Sequence, residues 1–117
     1  MIAHLVLLKP RTDLSADDRH ALVDAFDRAI REIPSVRGVR IGRRVAIGAS
    51  YETAASDQVE FIAVVDFDDV EGLRAYLQHP AHAELGRRFG TSLSAAAVYD
   101  FEVGGLEMLE RLASVES

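Results

Sequence analysis

A chain of 117 residues is the length of one domain, and at 49% hydrophobic it carries enough apolar side chain for a modest core. Its 13 basic and 19 acidic residues leave a net charge of −6, which argues against nucleic acid as a partner. With no cysteine, disulfides, thiolate nucleophiles and cysteine-held zinc are excluded together. No apolar run is long enough to span a bilayer, and residues 1–9 lack the basic start of a signal peptide. A cytoplasmic protein with no membrane partner is expected.

Residues 2–9 read as a strand with Ile2, His4, Val6 and Leu8 on one face and Ala3, Leu5 and Leu7 on the other. Both faces are apolar enough to be buried, and Pro10 stops the strand. Ser15 caps a helix with an acid three residues on, and Leu22, Phe26, Ala29 and Ile33 form its apolar stripe. Pro34 ends it. A second strand is expected over residues 36–47, with Gly38 and Gly42 allowing bends or bulges. A small, polar loop follows over residues 48–57, then a third strand over 59–67.

Asp68 or Asp69 can cap a helix running to about Gln78. Pro80 disfavours helical geometry at His79 and suits the first position of a new helix. Two short helices follow, with His79 at the cap of the second, which ends near Gly90. A fourth strand spans 95–103 and Gly104-Gly105 closes it. A C-terminal helical tail occupies residues 104–117, with Leu106, Leu109 and Ala113 on one side. The order is the βαββαβ of a ferredoxin-like α+β domain with a four-stranded antiparallel sheet, here residues 1–103. Apolar residues on the sheet face away from the helices call for cover, and a homodimer closing a barrel between two sheets supplies it. The competing arrangement is a monomer whose tail covers that face.

Four stretches resemble the stress-responsive dimeric α/β-barrel (Dabb) domain family. They are Ile2-Ala3-His4-Leu5-Val6-Leu7-Leu8-Lys9, Ile33-Pro34-Ser35-Val36, Tyr76-Leu77-Gln78-His79-Pro80-Ala81-His82, and Val98-Tyr99-Asp100-Phe101-Glu102. Ser35 stands where the family usually has Gly. The resemblance implies a dimeric α/β barrel with a cavity between sheet and helices in each subunit. Activity in the family varies, and many members are known only from stress responses. One plant member is a polyketide cyclase that closes a thioester ring by an aldol reaction. By that resemblance His82 is a general base, Tyr76 binds a substrate carbonyl, and His4 lines the site. A further His of that cyclase aligns with Phe61, which puts the same substrate in doubt.

Each of these residues also has a plainer reading. His4, inside an apolar strand, can be a structural His bonded to a carbonyl. Tyr76 can be an amphipathic core residue. His82 can be a surface His, although burial would keep its ring neutral and fit to accept a proton. His79 and His82 lie three apart, but Pro80 intervenes and no acidic ligand is near, so no metal is expected. The strand carboxylates Asp57, Glu60, Asp66, Asp100 and Glu102 read as solvated. No phosphate-binding glycine pattern is present, so no nucleotide is expected.

The function this points to is a cofactor-free, small-molecule-binding dimer. In that reading His82 abstracts a proton beside the carbonyl of an apolar, aromatic or polyketide-like ligand, Tyr76 stabilises the enolate, and His4 orients the substrate. The alternative is a non-catalytic stress-response or ligand-binding dimer. A haem or quinone monooxygenase ranks last, since haem-degrading relatives of this barrel rely on a Trp and the chain has none.

Overall fold

The computed structural model describes residues 1–114. Strand β1 covers Ile2–Pro10, helix α1 Ala16–Glu32, β2 Gly38–Arg43, β3 Phe61–Phe67, α2 Val70–Gln78, α3 Pro80–Ser92, β4 Leu93–Glu102 and α4 Met108–Ser114. The strands form one antiparallel sheet in the order β2-β3-β1-β4, with β2 and β4 at its edges. This is the ferredoxin-like arrangement, with α1, α2 and α3 over one face.

The caps follow from local chemistry. Ser15 accepts a hydrogen bond from the Asp18 backbone N–H at 3.1 Å, and Asp69 accepts one from Gly72 at 2.8 Å. His79 ends α2 and begins α3: its backbone is extended, and its ring Nδ1 accepts from the Ala81 N–H at 3.0 Å. Pro80 sits at the first position of α3, where its missing N–H costs nothing.

Two expectations need correction. β2 holds only six residues, because its ladder to β3 ends at Arg43–Phe61; beyond that pair the chain leaves the sheet and turns through a 3₁₀ segment over Ser50–Ala54. The β2–β3 register runs without a shift, so Gly38 and Gly42 make no bulge.

The core lies between sheet and helices. Val65, Phe67, Tyr76, Ala29 and Ala81 are fully buried, and Ile33, Leu73 and Leu85 nearly so. Each large apolar side chain removed from water here contributes about 1.5–3 kcal/mol. The opposite sheet face is different. Leu5 and Leu7 of β1 and Ile62 and Val64 of β3 are half-buried, while Tyr99 and Phe101 of β4 are more than half exposed. Among the described residues the tail leaves this face open: α4 makes no extended packing with any strand or helix of its own chain.

Candidate functional site

β1 and β4 pair so that His4 stands directly opposite Asp100, which puts both side chains on the helix-covered face. His4 is buried, and its Nδ1 lies 2.6 Å from Asp100 Oδ1. An ionised carboxylate can only accept, so Nδ1 donates to it and Nε2 is the ring nitrogen left for another partner. The Asp100 side chain is 42% exposed, so one end of this pair meets water and the other meets the core.

α2 brings Tyr76 over β1, with Phe67 beneath it at a centroid distance of 5.1 Å. Its ring packs edge-on against His4 at 5.7 Å and, tilted, against His82, from the first turn of α3, at 4.8 Å. The helix break at His79-Pro80 makes this possible, since it turns the chain so that His82 faces back onto Tyr76. Burial pushes the Tyr76 hydroxyl up to about 12, so it is a proton-bearing donor throughout the neutral range. The His82 ring is held below its ordinary value, first by burial and next by the neighbouring His4, with the Leu77 backbone opposing both. A neutral ring at neutral pH can accept a proton.

A second feature lies beside this cluster. A cavity of about 740 Å³ opens between α1 and the β2-β3 half of the sheet, walled by Val39, Ile41, Phe61, Ala63 and Leu22. Arg11, Thr12, Arg19 and Glu60 stand among its polar lining. His4, Tyr76 and His82 do not line it. Phe26 and Phe89, 6.3 Å apart, line the cavity and also pack on the core group that contains Tyr76. They form a partition between the two features.

The three residues singled out in the sequence therefore meet in one place, against one another rather than around the large cavity. Phe61, where the cyclase resemblance has a His, is part of the cavity wall. The sequence reading missed Asp100, which it took as a solvated carboxylate. Among the described residues no group of three or more His, Asp or Glu side chains stands close enough together to hold a metal ion. No helix among them is long and apolar enough to cross a membrane.

The ferredoxin-like sheet with its helices on one face is the frame of a known family. The stress responsive A/B barrel domain matches residues 2–103, and the chain belongs to that family. Among characterised proteins it is similar to olivetolic acid cyclase of Cannabis sativa, 21% identical over 100 residues that cover 86% of this chain and 94% of the cyclase. Among solved structures, hydroxynitrile lyase from Passiflora edulis matches with a TM-score of 0.74 at 12% identity, covering 89% of this chain and 94% of the lyase. A dimeric ferredoxin-like protein of unknown function from Thermobifida fusca matches with a TM-score of 0.67 at 22% identity, covering 87% and 90%. At these identities the structural likenesses show the shared fold.

Proposed function

We propose that this protein is a homodimeric, cofactor-free enzyme that moves a proton beside a carbonyl of a small apolar or polyketide-like substrate. The single observation that carries this reading is the packing of the Tyr76 ring between His4 and His82, with His4 held in turn by Asp100. His82 takes the proton from the carbon next to the carbonyl. The C–H electron pair becomes the enolate, and the Tyr76 hydroxyl donates a hydrogen bond to the enolate oxygen. The enolate carbon attacks a second carbonyl of the same molecule, and the new alkoxide takes its proton back from His82. Asp100 fixes the tautomer and orientation of His4, which positions the substrate. Similarity to olivetolic acid cyclase supports the reaction class, and the dimeric relative together with the exposed Tyr99 and Phe101 supports the dimer.

The test is exchange of α-hydrogens for deuterium in an acetoacetyl thioester, followed by NMR. The protein accelerates exchange over buffer, and His82→Ala slows it by about 10²–10⁴-fold, the usual range for a general base. Asp100→Asn gives a smaller loss and keeps the fold, since that carboxylate is half in water. No acceleration by the unmodified protein, or full rate in His82→Ala, overturns the reading.

A second reading is a non-catalytic dimer that stores or carries an apolar ligand. The observation favouring it is the separation of the large cavity from the His and Tyr side chains by Phe26 and Phe89.

A further inference from the structure

Residues 104–117 lie beyond the region that the family accounts for, yet they carry a marked apolar pattern. Leu106, Leu109 and Leu112 recur every three residues, which places them on one side of a helical turn. They are 84%, 59% and 75% exposed. As far as Arg111 this segment is nonetheless tied to the body and to itself. Val103 donates its N–H to the Met1 carbonyl at 2.9 Å, Glu107 accepts from the Gly105 N–H at 2.8 Å, and Arg111 reaches Glu102 at 3.6 Å. The radius of gyration is 16.1 Å, against about 13 Å for a compact domain of about 100 residues. An oriented segment with bare leucines, standing off the body, has the form of an arm without its partner.

The opposite edge of the sheet offers complementary chemistry. β2 and the residues beside it carry Arg37, Arg40, Arg43 and Arg44 with no acid between them. Arg37 is occupied by Asp68, and Arg44 bonds the carbonyls of Ser56 and Val59. Among the described residues Arg40 and Arg43 make no ion pair. On the same edge Val39 and Ile41 are 38% and 61% exposed, and both form the flank of the large cavity. The arm supplies what this edge lacks: three leucines, and in Glu107 and Glu110 two acids. β2 and β4 are the two outer strands of the sheet, separated by β3 and β1. A second copy can present its β2 edge to this arm and receive the same contact in return.

We propose that α4 is an arm that docks on the β2 edge of a second copy of this chain, seating Leu106, Leu109 and Leu112 on Val39 and Ile41 and closing the open flank of that copy's cavity. Each cavity then has a wall from both subunits, and the binding volume is complete only in the dimer. This rests on the dimer reading above.

The absence of native cysteine makes the test direct. Ile41→Cys and Leu109→Cys are expressed separately and together in one cell, then oxidised mildly. A covalent dimer that forms when both variants are co-expressed, and in neither variant alone, is the expected result. Cross-linking by Leu109→Cys alone would put α4 against α4 and overturn the proposal. No cross-link in any sample, with sedimentation still showing a dimer, overturns the arm and leaves the dimer standing; a monomer in sedimentation removes both. Leu109→Glu, at a residue outside the buried core and 59% exposed, raises the dimer dissociation constant about tenfold or more. An unchanged constant counts against the arm in the same way.

Discussion

The layer between sheet and helices has two unlike halves. One, under α2 and α3, is tightly packed and polar at its centre: His4, Tyr76 and His82 touch ring to ring, with Asp100 at the rim. The other, under α1, is apolar and open, a cavity of about 740 Å³ with Phe61 and Ala63 on its floor. Groups fit for chemistry and volume fit for a ligand are therefore neighbours rather than one compartment. Phe26 and Phe89 form the wall between them. The comparison teaches that a ligand in the cavity meets the His and Tyr side chains only if Phe26 and Phe89 shift.

The largest effect is expected in the packed half. Tyr76→Ala empties the centre of the cluster and costs about 3–5 kcal/mol in urea unfolding, the range for losing a large buried side chain. Tyr76→Phe keeps the ring contacts and costs far less stability, yet loses the donor. If both variants unfold alike, the hydroxyl rather than the ring holds the cluster, and the division of roles is wrong. In the open half, Ala63→Leu adds bulk at a buried position on the cavity floor and costs about 1–3 kcal/mol. A medium-chain fatty acid, used as an apolar probe of the cavity, is expected to raise the melting temperature of the unmodified protein, and the variant is expected to abolish that rise. A rise that survives would mean that the ligand sits elsewhere.

The smallest effect is in pH dependence. His82 in the folded chain resists protonation, so between its lowered value and about 6.5 the unfolded chain binds more protons. Stability from this group is complete above about pH 6.5 and falls as the pH drops below that. His82→Gln flattens this limb in urea midpoints measured from pH 7 to pH 5. Tyr76 acts at the other end with the opposite sign. Its folded value near 12 lies above the ordinary 10, so its contribution is complete below pH 10 and is lost as the pH climbs toward 12. Tyr76→Phe removes that alkaline decline.

Much of this was legible in the sequence because it is local. The cap at Ser15, the break at His79-Pro80 and the apolar stripe of α1 are set by residues within a turn of one another. The order of elements pointed to the sheet topology. The Dabb resemblance pointed to His4, Tyr76 and His82, which the fold gathers. Asp100 was not legible, because its partner lies 96 positions away and only the β1–β4 register puts the two side chains on one face. A carboxylate alternating with Tyr99 and Phe101 looks like a solvated edge until its neighbour strand is known. The length of β2 was hidden for a similar reason. Residues 44–47 are as strand-like as those before them, but β3 begins at Phe61, and after the Arg44 N–H, which still bonds the Glu60 carbonyl at 2.8 Å, the ladder goes no further. The cavity is a matter of three-dimensional packing between α1 and the sheet, which periodicity does not report.

The junction at His79-Pro80 has a consequence for how this site tolerates change. Tyr76 and His82 sit on different helices, yet their rings are 4.8 Å apart because the break between them has a single geometry, fixed by a proline and a ring-nitrogen cap. Inserting or deleting one residue there would rotate α3 by about 100° about its axis and carry His82 off the Tyr76 ring. The loop over residues 48–57 can lengthen with little effect on the cluster, whereas this joint keeps its count. Sequence length in this protein is thus free at one connection and metered at another, and the metered one lies beneath the chemistry.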